Sequence, residues 1–592
     1  MDKTAEPDLA MQAPSPIDAP APTESGLPFR PANFATFAEA LAYAARGASG
    51  FTYYNGKGEV FETLTYRRLH DEARDVAARL LSLGLRPGDR VAVLAETHPD
   101  FARAFCGAMI AGLVPAPLPL PVAFGERDAY SEQLRRIVAV AGARAAISTE
   151  EYSGWVAEAM APVDLLFCGR LDELPAASGP IPEVAPGPDD LAYLQFSSGT
   201  TGAPKGIAVT HRAMMANLNG IASDGLKLRA GDRGVSWLPL YHDMGLVGCF
   251  LTPVATQFSA DYIQTKDFIR RPLLWLELIG RNRATVTFGP TLGYDLCQRR
   301  VRGKAPDGLD LSSWRVAGIG ADMVKAPVLR AFAEAFAPAG FAEGAFTPSY
   351  GMAETTLALS FSPLGQGLRT ERLSLDALER EMVARPAAPG EKARDFAFCG
   401  LALPGHEIEV RDEDGKALPE GKVGRIYAAG PSLMREYFGA PEATAAALSN
   451  GWLDTGDLGY LREGQIIITG RAKDLMIVNG RNIWPQDLES TVEARVEHVR
   501  DRGVAAFSVL PDDSGGKLEE VVVVIAECRL REPAEREAMR AEVHAAVREA
   551  HGVEARVALA PNGALPVTSS GKLSRARARL MYLDGAFDTG AA

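Results

Sequence analysis

Segments with helical and strand-type patterns alternate over residues 66–125, and the same alternation returns through residues 210–360. In the first stretch, apolar residues recur at helical spacing from Leu69 to Leu80, Gly84 ends the helix, and a strand follows over Arg90–Leu94. Strands that alternate with helices form βαβ units around a parallel sheet. The sequence therefore predicts an α/β fold with two βαβ-type subdomains.

The part of the chain after residue 360 has a different texture. Residues 361–395 are rich in proline, glycine and charge, with one amphipathic piece around Leu373 to Met382, and are predicted to be an insertion. Short strands with glycine and aspartate turns from Glu407 to Tyr460 predict a β-rich subdomain.

The last 120 residues predict a small α+β domain. A helix over 486–499, a strand over 521–526 and a long helix over 532–550 are enough for an independent unit. We place the boundary at Lys473, so a large N-terminal domain over 26–472 is followed by a mobile C-terminal domain over 473–592.

Length and charge exclude several classes of protein. A chain of 592 residues is too long for one core and predicts two or three domains. Its net charge of −13 argues against nonspecific nucleic-acid binding, which needs a basic surface. Residues 104–125 carry no charge, but four prolines at alternate positions from Pro115 to Pro121 would break a membrane-spanning helix. A buried helix and an extended Pro-rich connection are expected there instead.

The N-terminus and the cysteines indicate a cytoplasmic protein. Residues 1–25 are rich in alanine and proline and lack a continuous apolar core, which predicts a disordered tail rather than a secretory signal. The six cysteines are scattered, without a Cys-x-x-Cys pair, so neither disulfides nor a zinc site are expected.

Residues 193–206 read YLQFSSGTTGAPKG and have the composition of a phosphate-binding loop. A short apolar run predicts a buried strand, and the loop after it holds four hydroxyl residues, three glycines and Lys205. Backbone N–H groups and hydroxyls of such a loop can surround a polyphosphate, while the lysine supplies positive charge. The spacing does not fit a Walker A loop. The alternative is an ordinary polar turn after a strand.

Four further segments have the composition of a site. Trp237 to Gly245 brings Tyr241, His242 and Asp243 together, and Ser349 to Glu354 offers an aromatic face, a glycine and a possible Mg²⁺ carboxylate. Asp457 ends a strand, where it could accept hydrogen bonds from a ribose. Lys572 stands in a Gly/Ser loop. Taken singly, these are also what turns, helix N-caps and a solvated lysine look like.

In this order the segments resemble the adenylate-forming superfamily of acyl-CoA synthetases, nonribosomal adenylation domains and luciferases, over nearly all of residues 30–580. The His-Asp-Met-Gly core of Trp237 to Gly248, residues 294–297, and Gly480 to Glu489 are most similar to fatty acyl-AMP ligases. That subgroup carries an extra segment where residues 361–395 stand, and the segment is thought to restrict domain rotation. Trp484 is a mild departure, because the subgroup more often has tyrosine there.

The resemblance implies a role for each segment. Catalytic roles fall to Lys572, His242, Glu354 and Lys205, with Mg²⁺ bound by Glu354 and Ser197 and the hinge at Lys473. Gly320 to Asp322 and Tyr350 would flank adenine, and Asp457 and Arg471 would hold the ribose. The nucleotide-binding set as a whole comprises Ser197, Ser198, Gly199, Thr200, Thr201, Gly202, Lys205, Gly320, Ala321, Asp322, Ser349, Tyr350, Gly351, Met352, Ala353, Asp457, Arg471 and Lys572.

The implied function is activation of a fatty acid with ATP and Mg²⁺ to an acyl adenylate and pyrophosphate. The acyl group would pass to the phosphopantetheine of an acyl carrier protein on a separate chain. Two alternatives stay open: a fatty acyl-CoA synthetase that uses free CoA, and a catalytically silent sensor of nucleotide or fatty acid. The acyl chain of the fatty acid is expected to lie among Phe288, Leu292 and Leu296. A basic surface on which the acidic carrier protein docks, the landing patch, is expected at Arg575, Arg577 and Arg579.

Overall fold

The computed structural model describes residues 26–121, 127–177, 179, 186–197, 204–301, 303–478, 480–509, 520–567 and 573–587, without the side chains of Ser197 and Asp501. The predicted tail lies outside these residues. Among the helices that are described, none is both long and apolar enough to cross a bilayer.

A nine-stranded sheet forms the centre of the large domain. Its inner strands run parallel, and the strands near both edges are antiparallel. In spatial order the strands are Leu401–Ala402, Ala358–Phe361, Phe346–Gly351, Val316–Ile319, Val286–Gly289, Arg233–Ser236, Ser259–Ile263, Gly50–Tyr54 and Val60–Thr65.

A second, four-stranded parallel sheet belongs to the other βαβ unit, in the order Val114–Leu118, Arg90–Leu94, Ala143–Ser148, Phe167–Arg170. The extended Pro-rich connection predicted within residues 104–125 thus contains a strand. Pro115 and Pro117 are tolerated there because Val114–Leu118 is an edge strand, where a missing N–H costs no ladder hydrogen bond on the open side.

Helices cover these sheets. The predicted helix from Leu69 to Leu80 is part of Tyr66–Ser82, and Gly84, two residues past its end, has a positive φ. The helices of the large domain are Phe37–Ala44, Tyr66–Ser82, Pro99–Ile110, Arg127–Ala141, Ser153–Met160, His211–Gly220, Thr252–Ala255, Thr265–Arg270, Leu273–Asn282, Thr291–Val301, Ala326–Phe336, Leu375–Glu381 and Pro441–Ala447. Two π-helical stretches, Ile221–Gly225 and Met244–Leu251, interrupt this set.

Two smaller sheets complete the large domain. The first joins Glu436–Tyr437, Lys205–Thr210 and Leu191–Ser197. The second is the expected β-rich subdomain, with strands Glu407–Arg411, Gly424–Ala429, Trp452–Arg462, Leu448–Ser449 and Gln465–Arg471.

Residues 361–395 fold as a strand, a helix and a returning strand. The antiparallel pair Thr370–Ser374 and Ala393–Ala397 encloses the helix Leu375–Glu381. The amphipathic piece from Leu373 to Met382 is thus only partly helical.

The small domain contains the hairpin Met476–Val478 and Arg481–Ile483, the strands Val499–Val509, Val521–Cys528 and Ala555–Pro561, and the helices Pro485–Arg495, Pro533–His551 and Arg575–Leu583. The helix predicted over 486–499 ends four residues early, because Val499 already belongs to a strand that pairs with Cys528. The α+β class of this part is as expected.

The insertion packs against the small domain. Arg481 forms an ion pair with the buried Glu379, and the Nη1 of Arg394 lies 2.7 Å from the Oδ1 of Asp487. Trp484 is buried in one cluster with Leu378 and other residues of the insertion. The two ion pairs and the buried Trp484 therefore join the insertion to the small domain.

Candidate functional site

The predicted phosphate loop connects two paired strands. Leu191–Ser197 and Lys205–Thr210 are antiparallel, with Ser197 opposite Lys205, so the loop ends are adjacent. Ser198, Gly199, Thr200, Thr201 and Gly202 lie outside the described residues, as does the side chain of Ser197.

Lys205 and Glu354 meet at one phenol. The Nζ of Lys205 lies 4.5 Å from the ring centroid of Tyr437, and the Tyr437 hydroxyl donates a 2.8 Å hydrogen bond to the Oε1 of Glu354. The strand Glu436–Tyr437 brings this about by pairing with Lys205–Thr210. The structure therefore places the base of the loop beside the carboxylate predicted to bind Mg²⁺.

The environment of Glu354 fits a magnesium–nucleotide complex. Burial raises the pKa of this carboxyl, and the hydrogen bond from Tyr437 opposes that shift. Among the described residues, no group of three His, Cys, Asp or Glu side chains forms a complete metal cage. Mg²⁺ is commonly bound by one or two carboxylates together with substrate phosphates. A single half-buried carboxylate beside the predicted phosphate loop matches that pattern.

The turn before Glu354 requires glycine. A Cβ on Gly351 would lie 1.8 Å from the carbonyl oxygen of Leu357, so no other residue fits without moving the backbone. Met352 and Ala353 continue from this turn into a single 3₁₀ turn, Ala353–Thr355. The Ser349-to-Glu354 segment is thereby folded back on itself at the carboxyl end of a central strand.

Tyr350, Asp457 and Arg471 form one hydrogen-bonded group. The Tyr350 hydroxyl donates to the Oδ2 of Asp457 at 2.9 Å, and the Nε of Arg471 lies 3.3 Å from the Oδ1. Asp457 and Arg471 face each other in the antiparallel pair of their strands. A carboxylate held this way can accept hydrogen bonds from vicinal hydroxyls.

The Gly320-to-Asp322 turn lies beside this group. It follows the strand Val316–Ile319, and the Ser349 hydroxyl donates to the carbonyl oxygen of Ile319 at 3.0 Å. Ala321 has a φ of 68°. The exposed Asp322 accepts a hydrogen bond from the backbone N–H of Met323, so its carboxylate is partly engaged in the turn.

His242 is half-buried and held by its neighbour. Its Nδ1 lies 2.6 Å from the Oδ1 of Asp243, which also accepts from the N–H of Met244 at 2.7 Å. The side chain of Gln195, on the strand before the phosphate loop, donates to the carbonyl of Tyr241 at 2.6 Å. The histidine thus stands at the start of the π-helical stretch Met244–Leu251, and such bulges are frequent at functional sites.

Lys473, the predicted hinge residue, lies two residues after Arg471. Lys473 is in the short turn Ala472–Asp474. Burial and the positive charge of Arg471 lower the pKa of its amino group. Lys572 lies outside the described residues.

The prediction that Arg575 belongs to an exposed landing patch for the carrier protein is wrong. Arg575 forms a two-pronged ion pair with Glu489 at 2.7 Å and a second with Asp474 at 3.1 Å, and only 17% of its side chain is exposed. Arg579 is half-buried and donates to the carbonyl of Ser508, whereas Arg577 is exposed. Arg575 instead joins the helix Arg575–Leu583 to the turn Ala472–Asp474 and to the helix Pro485–Arg495.

An apolar cavity lies beside Tyr350. It is narrow, with a cavity volume of about 70 Å³. We call the end lined by Gly320, Tyr350 and Asp243, next to the predicted nucleotide residues, the mouth of the cavity. Of the three residues expected near the tail, Phe288 lines it, while Leu292 and Leu296 are not part of the described wall. The interior wall includes Ile221, Leu226, Met244, Cys249, Phe258, Val286, Leu357 and Phe361.

Sequence reasoning missed Tyr437 and Gln195. Each stabilises a site residue that is distant in sequence, and neither stands in a segment with the composition of a site. The alternation of the 191–196 strand could have marked Gln195 as a buried polar residue that needs a partner.

Residues 41–438 match the model of the family described as "AMP-binding: AMP-binding enzyme". The chain belongs to this family. It is 51% identical over 96% of its length to a Caulobacter vibrioides protein named "Putative acyl-CoA synthetase", of which 98% is covered. It is 31% identical over 94% of its length to the medium-chain-fatty-acid–[acyl-carrier-protein] ligase JamA of Moorena producens, of which 96% is covered.

A solved structure extends the likeness to the whole fold. It comes from work on fatty acyl-adenylate ligases of E. coli and L. pneumophila, with a TM-score of 0.88 and 42% identity. It covers 94% of this chain and is itself covered completely. The expected architecture and the resemblance to fatty acyl-AMP ligases are confirmed. This member of the family is thus an ATP-dependent acid ligase of the adenylate-forming type.

Proposed function

We propose that this protein is a fatty acyl-AMP ligase that passes the acyl group from its adenylate to the phosphopantetheine of a separate acyl carrier protein. The apolar cavity beside Tyr350 and Gly320 supports the first part of the proposal, because it places an apolar lining next to residues proposed to bind the nucleotide. The contacts between the insertion and the small domain support the second part.

In the first half-reaction, a fatty carboxylate attacks the α-phosphate of ATP and pyrophosphate leaves. Two anions must approach, so the site has to neutralise charge. Lys572 bridges the carboxylate and the α-phosphate, while Lys205 and the loop residues Ser197, Ser198, Thr200 and Thr201 hold the departing phosphates. Glu354 and Ser197 would hold Mg²⁺, which would supply positive charge to the phosphates.

The remaining residues orient the substrates. Asp457 and Arg471 bind the ribose, and Tyr350 with the Gly320-to-Asp322 turn flanks adenine. His242, fixed by its hydrogen bond to Asp243, stands beside the reacting carboxylate and orients it. It is not a general base, because a carboxylate has no proton to lose at neutral pH.

The second half-reaction requires the small domain to turn about Lys473 and present the face from Gly480 to Trp484. In this structure that face is covered by the insertion, through Arg481 with Glu379 and through the buried Trp484. We infer that this interface resists the rotation and disfavours free CoA. A carrier protein, with a surface of its own to dock, can offset that resistance by the contacts it makes.

Loosening the interface is expected to free the small domain. The double variant Arg394→Ala, Arg481→Ala leaves two buried carboxylates, Asp487 and Glu379, without their ion-pair partners. Trypsin should then cut the linker at Arg471 or Lys473 about tenfold faster than in wild type, by the exposure of a locally unfolded segment. Cleavage is followed by gel and mass spectrometry.

The matched control is Arg380→Ala, on the insertion helix that also carries Glu379. Arg380 pairs with Asp376 on the surface at 2.7 Å, so its loss should leave the cleavage rate unchanged. Equal cleavage rates of the double variant and wild type would contradict the inferred lock.

The acceptor is tested directly. Enzyme, ATP, Mg²⁺ and a fatty acid are incubated with either CoA or a holo carrier protein, and the thioesters are measured by mass spectrometry. We expect the carrier thioester to form faster by at least about tenfold in kcat/KM, a difference of ~1.4 kcal/mol. Preferential formation of acyl-CoA would establish the alternative, a fatty acyl-CoA synthetase.

A further inference from the structure

The apolar cavity ends at the N-terminal edge of the nine-stranded sheet. Phe258, Leu226 and Val286 line it there, and all three are buried. The Phe258 ring lies 3.3 Å from the place that a Cβ on Gly234 would occupy. Gly234 pairs with Val286, the first residue of the strand Val286–Gly289. The Phe258 ring therefore closes the cavity at the level of that residue.

The backbone around Phe258 is fixed. Its carbonyl oxygen accepts a 2.7 Å hydrogen bond from the hydroxyl of Tyr66, which is itself fully buried. Behind the ring, therefore, lies the main apolar core of the large domain and not solvent. The end of the cavity is a wall.

Strand register gives the depth of the cavity. Val286 pairs with Val316, and Gly320, at the mouth, lies four residues beyond Val316. Four steps of about 3.3 Å give about 13 Å between mouth and end. An extended alkyl chain advances ~1.3 Å per methylene, since its C–C bonds of ~1.5 Å run in a zigzag. About ten methylenes fit.

Two phenylalanine rings fix the sides of the cavity. A Cβ on Gly318 would lie 2.2 Å from the ring of Phe288, and one on Gly225 would lie 2.5 Å from the ring of Phe361. The two ring centroids are 6.1 Å apart, edge to face. Each ring is packed against a glycine, so neither glycine can be enlarged without displacing a ring of the wall.

We propose that Phe258 limits the length of the acyl chain and that the protein selects acids of about ten to twelve carbons. This inference rests on the proposed function and names its substrate class. Phe258 acts as a specificity-determining residue, because it touches the end of the acyl chain and not the reacting atoms.

The test is a chain-length profile. ATP–pyrophosphate exchange is measured with wild-type enzyme and straight-chain acids from hexanoate to octadecanoate, at saturating ATP and Mg²⁺. We expect kcat/KM to be highest at decanoate or dodecanoate and at least about tenfold lower at hexadecanoate, because the end of the longer chain has no space to enter.

Two variants move the wall in opposite directions. Phe258→Ala should shift the optimum to acids longer by about two to four carbons, since it removes the ring that closes the cavity. Gly234→Ala adds a methyl 3.3 Å from the Phe258 ring and 3.7 Å from the Cβ of Ala260, and should shift the optimum to acids shorter by about two carbons than that of wild type. Thermal melting checks that both variants fold, and Phe258→Leu replaces Phe258→Ala if the latter does not.

The outcomes separate the inference from the function on which it rests. A wild-type optimum at hexadecanoate or longer, or the same profile in wild type and both variants, would overturn the limit set by Phe258 while leaving acyl-AMP formation intact. Exchange with none of the straight-chain acids would overturn the proposed function itself.

Discussion

Replacing Lys572 with alanine is expected to slow acyl-adenylate formation about a thousandfold. A unit-charge contact near 4 Å is worth on the order of 4 kcal/mol at an effective dielectric of 20, which corresponds to that factor in rate. The loss should fall on kcat, because the ammonium group is needed where two anions react and less where they bind. Single-turnover formation of acyl-AMP, followed by quenched flow, measures it.

The control variant removes another positive charge that is close to Lys572 in sequence. Arg577 is exposed, so Arg577→Ala removes a charge from the same region and should leave the first half-reaction within about twofold of wild type. Acyl transfer from synthetic acyl-AMP should survive in Lys572→Ala, since Lys572 is proposed to leave the site for that step. Equal loss of both half-reactions would point to a folding defect instead of a lost catalytic charge.

Replacing Glu354 with glutamine is expected to lower the rate of adenylation by about a hundredfold to a thousandfold, the usual loss of one electrostatic group at a reacting phosphate or carbonyl. The amide keeps the size of the side chain and can still accept from Tyr437, but it removes the charge that binds Mg²⁺. The concentration of Mg²⁺ at half-maximal rate should rise as well, which a metal titration of pyrophosphate exchange measures.

The variant Tyr437→Phe distinguishes the contribution of the Glu354 charge from that of its hydrogen bond with Tyr437. It removes the 2.8 Å hydrogen bond to Glu354 and leaves the charge in place, so a loss of about tenfold is expected. An unchanged magnesium requirement in Glu354→Gln would mean that the metal is bound elsewhere.

Local pattern predicted the architecture where elements are long and periodic. The helix around Leu69 and the alternation over residues 210–360 needed no tertiary information, because one face of each helix is apolar. The strand Val499–Val509 was missed because its first residues are charged, and its identity depends on pairing with Val521–Cys528. The strand Val114–Leu118 was hidden by prolines that only an edge position allows.

The site was predicted in part for the same reason. Tyr350, Asp457 and Arg471 stand in segments with recognisable composition, and the fold brings them into one hydrogen-bonded group. Tyr437 could not be found, because its role depends on a two-residue strand that pairs with Lys205–Thr210. Arg575 is followed by two further arginines in the sequence, which suggested a basic surface. Its ion-pair partners Glu489 and Asp474 are distant in sequence and are seen only in the structure.

The most direct test of the account is to look for the acyl adenylate. Purified wild-type protein is incubated with ATP, Mg²⁺ and dodecanoate in the absence of any acceptor, and the bound products are extracted for mass spectrometry. We expect dodecanoyl-AMP in an amount close to that of the enzyme, together with pyrophosphate, and neither product in Lys572→Ala on the same timescale. ATP left unchanged by the wild-type protein across all the acids tested would contradict the central claim.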